Sequence, residues 1–158
     1  MQIYGGSFGY FSSSLASIGI EVTFAASTAG PDIVRALTPR TRLVWLETCS
    51  NPLVKMTDLR DVSDRVHRYN PKIIVAVDNT FLSPYVVRPL EHGVDLVMHS
   101  VTKYLGGHTD IVMGCLSTNN EELHGKLRAI QQYRGATPSS FDCYLLSRSL
   151  FTLEVSYT

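Results

Sequence analysis

Asp95-Leu-Val-Met-His-Ser-Val-Thr-Lys-Tyr-Leu-Gly-Gly107 changes character halfway along. Leu96, Val97 and Met98 form a short apolar run. His99, Ser100, Thr102 and Lys103 then turn polar, and Gly106-Gly107 closes the stretch. A buried strand has this pattern where it leaves the core and opens into a ligand site, because open α/β sheets bind ligands beyond the carboxyl ends of their strands. Lys103 stands at that edge, flanked by two hydroxyls.

Two upstream runs share the pattern. Lys72-Ile-Ile-Val-Ala-Val-Asp78 is nearly continuous in β-branched residues, as expected of a strand covered on both faces, and stops on a carboxylate before Asn79 and Thr80. Leu43-Val-Trp-Leu-Glu47 ends in the polar turn Thr48-Cys-Ser-Asn51-Pro52. Ile20–Ala25 is a further short strand candidate. Ile111–Leu116 follows too small a loop for a parallel crossover and is expected to lie antiparallel to its neighbour.

Helical spacing fills the intervals. Phe8, Phe11, Leu15 and Ile18 share one face, and Gly19 ends that helix. Thr28 is the expected cap of a brief helix over Asp32–Leu37, with Pro31 near its first turn. Thr57 is the expected cap of a helix with Leu59, Val62, Val66 and Tyr69 along one face and a mixed-charge solvated face opposite, stopped by Asn70-Pro71. Pro84–His92 reads as a loop with a short helix closed by Gly93. Asn120 caps a helix carrying Leu123, Leu127 and Ile130, and Pro138 or Ser139 opens a last one, Phe141–Leu153, expected to be buried because most of its sides are apolar. Alternating strands and helices give an α/β class with a mostly parallel sheet and flanking helices. The start in a helix, and an end in Glu154-Val-Ser-Tyr-Thr158 without a stop signal, read as the middle of a larger domain.

Composition narrows the function. The 158 residues carry 14 acidic and 14 basic side chains, so the chain lacks the basic surface that a nucleic-acid partner requires. No apolar run reaches the roughly 18 residues of a membrane span, and the first residues show no signal peptide. Cys49, Cys115 and Cys143 are far apart and read as reduced thiols of a cytoplasmic protein. His67, His92, His99, His108 and His124 show no ligand spacing, so no metal site is expected.

With parallel strands, Asn51, Asp78, Thr80, Ser100, Thr102 and Lys103 meet on one rim. A carboxylate and a lysine there admit two readings. One is a salt bridge with solvated neighbours. The other is a pyridoxal 5'-phosphate site, in which the lysine bonds to the aldehyde and the carboxylate pairs with the ring nitrogen. Such a lysine attacks only when partly neutral, which a sheltered, electropositive site favours. Neighbouring hydroxyls can hold phosphate oxygens. An aromatic ring must stack on the cofactor, and Tyr4 before Gly5-Gly6 is the candidate.

Ser100-Val-Thr-Lys103-Tyr-Leu-Gly-Gly-His108, preceded by Val77-Asp78-Asn79-Thr80-Phe-Leu-Ser-Pro84, closely resembles the Cys/Met-metabolism family of pyridoxal-phosphate enzymes. Tyr4-Gly-Gly6 and Glu47-Thr-Cys-Ser-Asn51-Pro52 match further family motifs in the right order, and the resemblance runs to about Leu153. It implies the large domain of a fold-type-I enzyme. Lys103 would hold the aldehyde and move protons. Tyr4 would stack on the ring and assist proton transfer, and Asp78 would bind the ring nitrogen. Asn51 would contact the ring oxygen, Thr80 the ring face, and Ser100 and Thr102 the phosphate. Leu37–Thr48 and Pro138–Leu145 look most like the branch that cleaves cystathionine to cysteine, 2-oxobutanoate and ammonia, although the synthase and methionine γ-lyase branches share these cofactor residues.

Family members are much longer. The resemblance therefore implies that residues 1–158 are a partial cofactor domain, without the N-terminal arm, the glycine-containing phosphate loop or the C-terminal domain. It also implies a homotetramer for the complete protein, and leaves open a non-catalytic truncated isoform that joins full-length subunits. Cys49 stands where a proline is common, and Arg148-Ser-Leu-Phe151 where the family has Arg-Gly-Leu-Lys.

Overall fold

The computed structural model describes residues 3–25 and 28–155. The chain opens in α1 (Gly5–Gly9), continues through a π turn (Tyr10–Ser14) and ends that rod in α2 (Leu15–Ser17). The Ser12 and Ser13 hydroxyls donate to carbonyls one turn back, Phe8 O at 2.7 Å and Gly9 O at 2.5 Å, a competition with the backbone ladder that bends helices. Gly19, with φ +79°, takes the left-handed conformation that stops it. After α3 (Gly30–Ala36) come β1 (Leu43–Glu47), α4 (Leu59–Tyr69) and β2 (Ile74–Asp78). Then α5 (Ser83–Val86) and a 3₁₀ turn (Pro89–His92) lead to β3 (Leu96–Ser100) and β4 (Gly114–Ser117). The helices α6 (Glu121–Tyr133) and α7 (Ser140–Leu150) follow.

The four strands form one sheet in the order β1-β2-β3-β4. The first three are parallel, and β4 runs antiparallel to β3. Glu47 lies opposite Asp78, and Asp78 opposite Met98, so β1 and β2 end level and β3 runs two residues past them to Ser100. Val75, Ala76 and Val77 of β2 are buried on both faces, the condition that selects an unbroken β-branched run. Across one face lies α4, whose Val62 and Val66 are fully buried with Val75, Val77 and Val97. Each such valine contributes about 1.5–3 kcal/mol by leaving water. A second cluster of Val101, Leu105, Ile111 and Leu145 ties the segment after β3 to α7.

Several local expectations need correction. Ile20–Ala25 is not a strand: it pairs with nothing in the sheet, and Ile20 is exposed. The cap position of α3 is Ala29, not Thr28, and it provides no side-chain bond. The cap of α4 is Asp58, whose carboxylate accepts the Asp61 N–H at 3.0 Å. Thr57 is diverted, its hydroxyl donating to Glu47 O at 2.8 Å. Helix α7 is mostly exposed. Only Leu145 and Ser149 are buried, while Phe141, Tyr144 and Leu150 face outward because the second cluster touches a single stripe. The stripe on α6 is likewise not core, since that helix buries none of its residues. Of the terminal Glu154–Thr158, residues 156–158 lie outside the described set. Among the described residues, no helix is long and apolar enough to cross a membrane, and no group of three or more His, Cys, Asp or Glu is placed to hold a metal ion.

Candidate active site

The carboxyl ends of the parallel β1, β2 and β3 deliver Glu47, Asp78 and Ser100 to one edge of the sheet. Beyond β2 the chain turns at once. The Thr80 N–H and hydroxyl both donate to Asp78 Oδ1, at 2.9 and 2.5 Å. The same hydroxyl oxygen accepts the Ser100 N–H at 2.8 Å, joining the end of β2 to the end of β3. Ser100 O in turn accepts the Lys103 N–H at 3.1 Å. A continuous hydrogen-bonded path therefore runs from the Asp78 carboxylate to the Lys103 main chain.

Lys103 rides on a compact turn. Gly106 N–H donates to Val101 O and Gly107 N–H to Lys103 O, at 2.6 and 2.7 Å. A Cβ on Gly106 would stand 2.7 Å from Val101 O and 3.0 Å from Ile111, so only glycine fits. The turn is closed at its far end by Thr102, whose Oγ1 accepts the Met113 N–H at 3.1 Å and donates to Met113 O at 3.3 Å. The buried Val101 and Leu105 point the turn inward, while Lys103 is exposed. Among the described residues, its amine forms neither an ion pair nor a hydrogen bond. The salt bridge to Asp78 that the sequence allowed is therefore not made.

Tyr4 enters from the amino end. Its N–H donates to Glu47 Oε1 at 2.7 Å, and its side chain is 67% exposed. Burial pushes the Glu47 carboxyl above the ordinary carboxylate range. The Tyr4 N–H pulls it back, and the nearby Asp78 charge adds to the rise.

At this edge a polar chain, buried at Thr48, Asn79 and His99, links the residues just past β1 and β2 to β3 and β4. Thr48 Oγ1 lies 3.0 Å from Asn79 Oδ1, Asn79 Nδ2 lies 3.2 Å from His99 Nε2, and Cys115 Sγ lies 3.9 Å from His99 Nδ1. Asn79 is wholly buried and also donates from Nδ2 to Val87 O at 2.9 Å. Burial lowers the His99 pKa, with Asp78 opposing, and burial raises that of the Cys115 thiol, with His99 opposing.

The sequence-derived set is thus brought together at Asp78, Thr80, Ser100 and Lys103, with Thr102 in the turn beside them. Asn51 lies farther along the turn after β1, on the exposed cis Asn51-Pro52 bond. Glu47, Asn79 and His99 were not in that set. Their roles depend on which strand lies beside which, a relation that spacing along the chain does not carry. The edge is an open rim. A hollow of ≈ 210 Å³ lies near it, lined by Thr48, Met56, Arg60, Leu82 and His92 but by neither Asp78 nor Lys103. The candidate site therefore comprises the strand-end residues and not that hollow.

A family model described as "Cys/Met metabolism PLP-dependent enzyme" matches residues 1–157. Cystathionine gamma-lyase of Dictyostelium discoideum is 48% identical over 154 residues, 98% of this chain and 39% of that protein. The crystal structure of cystathionine gamma-lyase from yeast superposes with a TM-score of 0.90 at 42% identity, over 97% of this chain and 39% of that one. The cystathionine gamma-lyase of Lactobacillus plantarum, in complex with L-serine, gives 0.93 at 34% identity, over 98% and 40%. The chain thus spans about two fifths of the length of the relatives it matches.

Proposed function

The chain belongs to the Cys/Met metabolism PLP-dependent enzymes, and from that premise we propose that its protein is a carbon–sulfur lyase of transsulfuration. Its reaction is cystathionine plus water to cysteine, 2-oxobutanoate and ammonia. The observation that carries the proposal is the asymmetry of Asp78. Oδ1 is doubly held by Thr80, while Oδ2 has no partner among the described residues; the hydrogen-bonded path from Asp78 ends at the Lys103 main chain, and the Lys103 amine has no partner among the described residues either. A carboxylate fixed by one oxygen and open at the other suits a ring N–H.

Pyridoxal phosphate, when bound, supplies an aldehyde for amino groups and a ring that withdraws electrons from the substrate α-carbon. The chain's residues fit its ring end. Asp78 Oδ2 would accept the ring N–H, and Thr80 keeps that carboxylate from rotating. Lys103 Nζ would hold the aldehyde, then carry protons to and from the substrate carbons. Tyr4 would cover the ring and protonate the leaving sulfur, and Asn51 would donate to the ring oxygen. At the phosphate end, the Ser100 hydroxyl makes no hydrogen bond among the described residues and is open to an anion. The Thr102 proton is directed at Met113 O and would have to turn away from it to serve there.

The complete protein is proposed to be a cytoplasmic homotetramer in which residues 1–158 are part of the cofactor domain. Exposed aromatic residues on α6 and α7, including Tyr133 and Phe141, support association with further chain or further copies. The test is cofactor trapping. The chain is incubated with pyridoxal phosphate and reduced with borohydride, and the modified residue is mapped by mass spectrometry. Labelling at Lys103, lost in Lys103→Ala, is expected, together with 2-oxobutanoate release from cystathionine by the loaded complete protein. Scattered labelling would refute the site, and a different favoured substrate would move the protein to another branch of the family.

A further inference from the structure

Glu47 is the last residue of β1 and the register partner of Asp78 on β2. Its backbone is already satisfied in the sheet and by Thr57, whose hydroxyl donates to Glu47 O. The carboxylate does something else. It reaches 43 positions back along the chain and takes the Tyr4 N–H at 2.7 Å. Tyr4 is the residue before α1, and its side chain makes no hydrogen bond among the described residues. Among the described residues, the hydrogen bonds that hold Tyr4 are this one and the one from Phe8 N–H to Tyr4 O at the start of α1.

A second observation concerns the ring. A Cβ on Gly6 would lie 2.6 Å from Tyr4 Cε1 and 3.3 Å from Cδ1 and Cζ. The ring therefore occupies the space that any side chain at position 6 would need, whereas Gly5 has nothing within 4 Å. The two neighbouring glycines are not equivalent: a side chain at position 6 would displace the exposed Tyr4 ring, and one at position 5 would meet nothing within 4 Å.

We propose that Glu47 is a positioning residue: it anchors the Tyr4 main chain to the strand end that abuts Asp78, and the bare Gly6 beneath the ring lets Tyr4 lie ready to cover the cofactor. The inference rests on the proposed pyridoxal-phosphate site. Glu47 and Asp78 are register partners on neighbouring parallel strands, so an anchor on Glu47 ties Tyr4 to the strand end beside Asp78. Rigid anchoring lowers the ordering cost that an exposed aromatic would otherwise incur on closing over a ligand.

The experiment compares wild type, Glu47→Leu, Glu47→Gln and Gly6→Ala in two readouts. One is amide hydrogen exchange at Tyr4 in the cofactor-free protein, with Val75 and Val77 as core references. The other is pyridoxal-phosphate affinity by absorbance titration. Glu47→Leu should speed Tyr4 exchange and weaken affinity, each by about tenfold, the scale of one hydrogen bond to a carboxylate. Glu47→Gln, which keeps an acceptor oxygen, should restore both to within about twofold. Gly6→Ala should weaken affinity while Tyr4 exchange stays slow, because it moves the ring and spares the anchor. Should Glu47→Leu lose core protection, Glu47→Gln and Gly6→Ala decide the matter. Unchanged affinity in Gly6→Ala, or fast Tyr4 exchange with unchanged affinity in either Glu47 variant, overturns the inference while leaving the proposed function intact. Failure of wild type to bind overturns the proposed function first.

Discussion

The Thr80 hydroxyl lies 2.5 Å from Asp78 Oδ1 and at the same time takes the Ser100 N–H at 2.8 Å. One small side chain thereby sets both the rotation of the carboxylate and the spacing of two strand ends. Thr80→Val keeps the shape and removes the donor. It should weaken pyridoxal-phosphate affinity about tenfold or more, since a hydrogen bond to a charged group is worth about 1.5–3 kcal/mol. Thr80→Ser should stay close to wild type. A spectroscopic titration of the three proteins reads the difference, and equal affinity in Thr80→Val would remove Thr80 from the site.

His99 should make stability fall on the acid side. Asn79 Nδ2 gives one hydrogen to Val87 O and aims the other at His99 Nε2, so that nitrogen must accept and the ring proton belongs on Nδ1, toward Cys115. Protonating Nε2 would set N–H against N–H in a buried place. The folded pKa is lowered from 6.5, chiefly by burial. The unfolded chain then binds more protons than the folded one below that value. The His99 contribution is intact above it and is lost as pH falls through it toward the lower folded pKa. Urea midpoints at about pH 7.5 and pH 5 should differ in that direction, and the slope should flatten in His99→Phe.

Glu47 should act with the opposite sign. Its folded pKa is raised, first by burial, against the Tyr4 N–H and with the Asp78 charge. Its protonated form is favoured in the folded chain, so its contribution is complete below the ordinary glutamate value and lost as pH rises through the folded one. Glu47→Gln has no proton to lose. Relative to wild type it should melt higher near neutral pH, by about 2 °C at most once solvent screening of this half-exposed group is allowed for. Thermal melts at acid and neutral pH check this, and an advantage confined to acid pH would contradict it.

Two glycine-to-alanine changes should have opposite effects. At Gly106 the new Cβ meets Val101 O at 2.7 Å, a backbone atom that has nowhere to move. That variant should lose about 2 kcal/mol or more, which is roughly 4–8 °C in melting temperature for a chain of this size. Gly125, inside α6, has nothing within 4 Å of its Cβ position. Alanine there should stabilise by about 0.5–1 kcal/mol through helix propensity alone.

What could be read in the sequence were features that coincide with local composition. The Val75–Val77 run is buried on both faces and ends on Asp78, so composition and burial point the same way. Asn120 and Ser139 cap their helices because nothing distant competes for their oxygens. Thr57 shows the limit. It is as able to cap as Asp58, but Glu47 O, ten residues away, takes its hydroxyl. The site divides in the same way. Asp78 and Lys103 are visible because one ends an apolar strand and the other comes soon after one, whereas the Thr48–Asn79–His99–Cys115 chain exists only once four strands are aligned. Apolar content misled for α7, because burial follows one stripe of a helix and not its average.

The reversed direction of β4 has a practical corollary. Its carboxyl end lies at the opposite edge of the sheet from Asp78 and Lys103, where the Thr118 hydroxyl ties to Asp95 O at the entry to β3. The exposed Asn119 is therefore separated from the reactive rim by the full length of the strands. A fluorescent reporter, an affinity handle or a surface-immobilisation point grafted there would leave the lysine turn undisturbed, and the protein could be tethered by its back while its front is titrated.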